Sequence, residues 1–259
     1  MNMNTIKRLS AAMAMAFAGT AGHAAVAAPV KTPVKNIVLV HGYFADGSGW
    51  RGVADILTRD GYNVTVVQQP ETTLADDVKA TTDAVDAMDG NSILVGHSYG
   101  GVVITQAGND AKVAGLVYVA AFQPEAGESL VTLAKKMPPA SDGVKPTGDG
   151  HLYFDHALFH ADFAADLPAA DVAFMARSQV LPSVQTAGAA VTQAAWKTKP
   201  SWAIVSTADR TINPDLERFM AKRAGSQVVD IDGSHATFVV HAAEVAKVIE
   251  QAATQSAKQ

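Results

Sequence analysis

The sequence predicts an α/β fold in which a mainly parallel sheet of about six strands carries helices on both faces. Three observations carry this expectation. Six short β-branched runs recur: NIVLV (36–40), VTVVQ (64–68), ILVG (93–96), GLVYVA (115–120), WAIVS (202–206) and QVVDI (227–231). Most are nearly continuously apolar, as strands covered on both faces are. Helical patterns separate them, and a helix between two such strands implies a right-handed parallel crossover. Numbered by appearance, the strands are expected in the order 2-1-3-4-5-6.

The chain begins with a targeting pattern. Lys7 and Arg8 precede a short apolar run over 11–21, and Ala25-Val26-Ala27 fits an A-x-A cleavage site. The run is too short to span a bilayer comfortably. Residues 1–27 are therefore expected to be a signal peptide, leaving a single domain over 28–259 in the periplasm or outside the cell. The full chain of 259 residues has 48% hydrophobic and 17% charged side chains, the balance of a globular chain with a full core. There is no cysteine, which excludes disulfides, thiolate nucleophiles and Cys-based zinc sites. The leader holds Lys7 and Arg8 and no acidic residue, so its removal takes the net charge from −5 to −7. An acidic domain gains nothing from a phosphate backbone, so nucleic acid is not an expected partner. No later apolar run is long enough for a membrane span, and no stable insertion is expected once the leader is gone.

Between the strands, residues 73–89 place Leu74, Val78, Val85 and Met88 on one helical stripe, with Thr73 and Asp76 as a capping box. Residues 102–108 continue helically after the third run. Residues 122–200 break the alternation. They lack strong strand runs and hold Pro138-Pro139, Gly148-Asp149-Gly150 and Ala-rich pieces such as 171–178. Set between two parallel strands, they are expected to form a helical cap over the sheet. Asn213 can cap a helix over 214–224, with Pro214 in its first turn and Gly225 at its stop. A last helix is expected over 240–253.

The chemistry starts at Gly96-His97-Ser98-Tyr99-Gly100. This G-x-S-x-G follows a strand and precedes a helix, the context in which a serine is held on a sharp, strained turn. Small residues at 96, 100 and 101 let strand and helix approach. Acyl transfer builds an oxyanion that two backbone N–H groups must face. One is expected from Tyr99, the other from Tyr43 in His41-Gly42-Tyr43-Phe44, with Phe44 the less favoured donor. His41 reads as a brace for that loop. The serine needs a base, and His235 lies in a loop at the carboxyl end of the sixth run. His97 sits inside the turn, His151, His156 and His160 fall in the cap, and His241 falls on the last helix. Asp209, after the fifth run, is the expected orienting carboxylate, preferred to Asp230 and Asp232. The order Ser98, Asp209, His235 is one that open α/β sheets use. Phe44, Phe122, Met175 and Phe238 are expected to line the substrate pocket, which points to an apolar group. No HExxH spacing occurs, and His156 with His160 lacks a clear carboxylate partner, so neither metal nor other cofactor is expected.

Three segments carry a resemblance: HGYFADGSGW (41–50), GHSYGG (96–101) and NPDLERFMAKRAG (213–225). Through them the chain resembles the α/β-hydrolase superfamily over 35–255, on the esterase branch that includes plant methylesterases and hydroxynitrile lyases, and especially small bacterial hydrolases. The resemblance implies the fold and the triad Ser98, Asp209 and His235, and it leaves the substrate open. One departure is that residues 31–35 leave little room for the antiparallel strands that often begin this fold. The expected function is cofactor-free hydrolysis of a small, apolar carboxylic ester through an acyl-enzyme. Lyase or perhydrolase chemistry on the same triad is the alternative, and a non-catalytic ligand-binding protein is a third reading. Dehalogenases and epoxide hydrolases of this fold need a carboxylate where Ser98 stands. The natural ester and the oligomeric state are left open.

Overall fold

A computed structural model describes residues 32–257 of the chain. The leader expected over 1–27 lies outside the described residues. The sheet has six strands: β1 (Asn36–Val40), β2 (Asn63–Val67), β3 (Ser92–Ser98), β4 (Val113–Ala121), β7 (Ser201–Ser206) and β8 (Gln227–Ile231). All pair in parallel, in the order β2-β1-β3-β4-β7-β8, which is the expected order. No strand precedes Asn36 among the described residues.

Both faces are buried, and the pleat sorts the side chains between them. Ile37, Leu39, Ile93, Val95, Val117, Val119, Trp202 and Ile204 pack with α1 (Arg51–Arg59) and with α9 (Thr237–Val240) and α10 (Ala242–Gln255). Val38, Val40, Leu94, Leu116, Tyr118 and Ala203 pack on the other face, against α3 (Gly100–Ala107) and α8 (Pro214–Ala224), with α2 (Leu74–Asp86) lying on α3. That double cover is why the strands read as continuous apolar runs.

One helix, α1, was not foreseen, and two elements depart from expectation. Helix α1 has no side-chain cap at its own start. Asp46 instead caps the 3₁₀ turn Gly47–Trp50 that leads into it, so the sequence reads as loop up to the helix. The capping box of α2 is half formed. The Thr73 hydroxyl accepts the Asp76 N–H at 3.1 Å, but the Asp76 carboxylate takes the hydroxyls of Thr72 and Thr73 instead of the Thr73 N–H. The last helix is broken at His241 into α9 and α10. Helix α8 follows its signals closely: Asn213 caps it and Gly225 ends it at φ +68°.

The chain between Ala121 and Ser201 forms the cap. It holds α4 (Leu130–Lys136), α5 (His156–Phe163), α6 (Ala169–Arg177) and α7 (Val184–Gly188). It also holds an antiparallel hairpin that the sequence did not announce, β5 (Val144–Pro146) with β6 (Leu152–Phe154). Phe154, Phe159 and Phe163 are fully buried, with ring centroids 4.6–5.6 Å apart, and give the cap its own aromatic core.

Because every strand of the main sheet runs the same way, the loops after Val40, Ser98, Ala121, Ser206 and Ile231 share one edge. The chain leaves β1 toward β2 and returns on the other side to β3. The crevice between these divergent loops is where open α/β sheets take their ligands.

Candidate active site

Backbone strain collects at this edge. Among the described residues four non-glycine residues have positive φ: Phe44 after β1, Glu71 after β2, Ser98 ending β3, and Ala120 near the end of β4. Such strain costs energy and persists where surrounding packing enforces it. At Ser98 the enforcement is visible. A Cβ at Gly96 would lie 2.5 Å from the Gly100 carbonyl oxygen, one at Gly100 would lie 2.6 Å from that of Val40, and one at Gly101 would overlap that of Phe122. These are backbone atoms and cannot yield cheaply. Gly42 meets the turn from the other side, where a Cβ would sit 2.6 Å from the Ser98 Cβ. The loop that carries Tyr43 is thereby pressed against Ser98.

The two loops are joined through their side chains. The rings of Tyr43 and Tyr99 stack with centroids 4.2 Å apart. The Tyr99 hydroxyl donates to Asp77 Oδ2 at 2.7 Å, and the Tyr43 and Thr186 hydroxyls share a bond of 2.5 Å. Gln69 N–H donates to His41 Nε2 at 3.1 Å, and the Gln69 side-chain amide donates to the His41 carbonyl at 2.6 Å. His41 is therefore a brace, neutral with its proton on Nδ1, and burial lowers its pKa. Beneath it Glu71 Oε1 lies 3.5 Å from His41 Nδ1. Burial, and then the charge of Asp77, push the Glu71 carboxyl up to about 10.

His235 and Asp209 meet in the interior. Nδ1–H of His235 donates to Asp209 Oδ2 at 2.6 Å, with both side chains fully buried. Asp209 Oδ1 accepts the N–H groups of Thr211 and Ile212 at 2.7 and 2.8 Å, so its carboxylate is held at both ends. This tautomer leaves Nε2 of His235 as a free lone pair, and that atom is buried without a hydrogen bond among the described residues. Its bond to the Ser98 hydroxyl is not formed here; in unliganded sites such bonds are often long. The other candidates go elsewhere. Asp232 accepts from Thr207 at 3.2 Å, and Asp230 pairs with Arg218. His97 is fully buried, and its Nε2–H donates to the His235 carbonyl at 3.0 Å. Burial, with the neighbouring His235, holds its pKa well below the usual value.

A cavity of about 400 Å³ opens at Ser98. Phe44 and Phe122 line it as expected, together with Leu130, Val131 and Ala134 of α4, Pro138 and Pro139, and Leu152. Two expected lining residues do not belong to it. Phe238 is fully buried on the opposite side, with its ring 4.6 Å from Trp50 and 4.3 Å from His97. Met175 lines a separate cleft of about 440 Å³ with Phe174 and Leu167, and Phe44 lines both this cleft and the Ser98 cavity. The contribution of α4 was not foreseen, although Ser129 and Thr132 form a complete capping box at its start. A further unforeseen group is Glu217 of α8, buried near Asp209, whose pKa is raised well above its usual value by burial and then by the Asp209 charge.

The profile of the Alpha/beta hydrolase family matches residues 37–248. The chain belongs to the α/β-hydrolase family. Among curated proteins, the chain is 35% identical over 130 residues to the carbendazim-hydrolyzing esterase of Nocardioides sp. (strain SG-4G). That match covers 45% of this chain and 54% of the relative, so the chain spans about half the length of the curated protein it matches. Among solved structures it resembles a pyrethroid hydrolase from Sphingobium faniae JZ-2, with TM-score 0.70 and 22% identity over 84% of this chain and 96% of that one. Polyneuridine aldehyde esterase aligns with TM-score 0.71 and 17% identity, over 83% and 97% of the two chains. Tomato methylketone synthase I gives 0.73 and 16%, over 86% and 98%. At these identities the structural likenesses speak for the fold.

Proposed function

We propose that this α/β-hydrolase is a serine esterase that cleaves a small, apolar carboxylic ester through an acyl-enzyme. One observation carries the reading: a buried His235–Asp209 pair with a free imidazole nitrogen, on the same sheet edge as a serine held at φ +53°. Nε2 of His235 takes the Ser98 proton as Oγ bonds to the ester carbonyl carbon. The carbonyl oxygen becomes an oxyanion, and the N–H groups of Tyr43 and Tyr99 donate to it. The tetrahedral species collapses, the C–O bond to the alcohol breaks, and His235 returns the proton to the departing oxygen. Water then repeats the sequence on the acyl-enzyme and frees the acid. Asp209 keeps the proton on Nδ1 throughout and stabilises the imidazolium. The cavity walls of Phe44, Phe122, Leu130 and Val131 suit an apolar acyl or alcohol group. The activity of the Nocardioides esterase supports the same class of reaction.

The test is turnover of a chromogenic short-chain ester by the parent and by Ser98→Ala, His235→Ala and Asp209→Asn. Ser98→Ala and His235→Ala should each lower kcat by orders of magnitude and should not add in the double variant. Asp209→Asn should cost about a thousandfold or more. A phosphonate should label Ser98 in the parent only. Unchanged kcat in Ser98→Ala would sink the mechanism. Cleavage of carbonyl adducts without ester turnover would move the protein to lyase chemistry.

A further inference from the structure

The C-terminal end of α5 and the loop after it reach both loops of the acid–base pair. Asp162 serves the acid side. Its Oδ1 accepts from Arg210 Nε at 2.6 Å, and its backbone carbonyl accepts the Thr211 hydroxyl at 3.0 Å. Four residues later Asp166 serves the base side. Its Oδ2 accepts the Ser234 N–H at 2.9 Å while its Oδ1 accepts the Ser234 hydroxyl. Between these two, the Phe163 carbonyl accepts the Ala236 N–H at 3.0 Å, and the Phe163 ring stands edge-on to the imidazole of His235 at 4.9 Å. Both chain neighbours of His235 are thus bonded to the cap.

We propose that Asp166 is a positioning residue for His235: by chelating Ser234 with both carboxylate oxygens it fixes, from the cap, the loop on which the base is carried. The inference rests on the esterase reading above. The sheet side alone leaves this loop under-determined. There the Gly233 carbonyl accepts the Ala208 N–H at 3.1 Å and the His235 carbonyl accepts from His97, whereas Ser234 N–H has Asp166 as its acceptor. Two bonds from one rigid carboxylate to one residue fix direction as well as distance. The imidazole must keep Nδ1 on Asp209 while Nε2 addresses the serine, so a small tilt of residue 234 is felt at the reacting proton.

The experiment compares the parent with Asp166→Ala, Asp166→Asn and Ser234→Ala, using kcat and KM on one activated ester and the downfield proton resonance of His235 Nδ1–H. The control Asp209→Asn identifies that resonance by removing it. Asp166→Ala should lower kcat about tenfold to a hundredfold, the size of effect a misplaced catalytic group gives, with KM within about twofold. Its resonance should broaden. Ser234→Ala keeps the N–H bond and should lose less, and adding it to Asp166→Ala should cost nothing further. If Asp166→Ala does not fold, Asp166→Asn decides by the same split of kcat from KM. A parental kcat with a sharp resonance in the folded variants would overturn the proposal, as would a loss confined to melting temperature. A parent that turns over no ester would sink the esterase reading, while the resonance would still report on the clamp.

Discussion

Glu71→Gln tests the electrostatics beneath the loop that carries Tyr43. Glu71 is 1% exposed, and neither of its carboxyl oxygens has a hydrogen-bond partner among the described residues. Its nearest cationic candidate, His41, is kept neutral by the N–H that donates to its Nε2. The carboxyl therefore holds its proton until about pH 10, against a usual value of 4.5. Between those values the unfolded chain has released the proton and the folded chain retains it. Stability from this group is complete below pH 4.5 and is lost as pH rises toward 10. One proton of linkage is worth about 1.4 kcal/mol per pH unit, so from pH 6 to 8 the parent should lose about 2.7 kcal/mol that the glutamine variant does not. The result holds for any folded value well above 8. Asp77 and His41 titrate in both proteins and cancel in the difference. The assay is urea unfolding of both proteins at pH 6 and pH 8, where the variant's advantage should grow by a midpoint shift on the order of 1 M. Equal pH dependence in the two proteins would refute the argument, because it would mean that Glu71 is already ionised in the folded state.

Gly101→Ala should lower stability by about 1–3 kcal/mol as the start of α3 is driven off the Phe122 carbonyl, and kcat should fall with it because Ser98 rides on that turn. Thermal melting and ester turnover check both, and parental values for each would show that the turn can relax. Phe238→Ala should cost about 3–5 kcal/mol of folding free energy in urea, since its ring is fully buried against Trp50 and His97. A change in ester preference at full stability would instead return Phe238 to the pocket.

The strands and the serine turn were legible because their signals are local. A sheet covered on both faces demands β-branched runs, and glycine is demanded at 96 by the approach of α3 to β3, at 100 by the end of β1 and at 101 by the Phe122 carbonyl. The pairing of Asp209 with His235 was legible from position alone, each just beyond a strand end. Phe238 misled because it stands three residues after His235. The short helix α9 turns it to the far face of the sheet, so closeness in sequence is not closeness to the cavity. Met175 misled because a cap was foreseen without its packing, and its side chain lines a different cleft from the cavity at Ser98. The hairpin β5–β6 has strands of three residues, too short for alternation to register, although Gly148 and Gly150 marked its turn. Asp162 and Asp166 act by bonding loops distant in the chain, and no periodicity announces such contacts.

The bond from His97 to the His235 carbonyl joins residues 138 positions apart. On a ribosome adding about 5–20 residues per second, the serine turn emerges roughly 7–28 seconds before the histidine that would activate it. Until residue 209 is made, the nascent chain carries the serine turn with neither Asp209 nor His235. The cap is synthesised in between, so Asp162 and Asp166 are made before the loops they grip. Under the esterase reading, completion of the last quarter of the polypeptide is the event that would arm the serine, and a product truncated before it would lack β7 and β8 as well as Asp209 and His235.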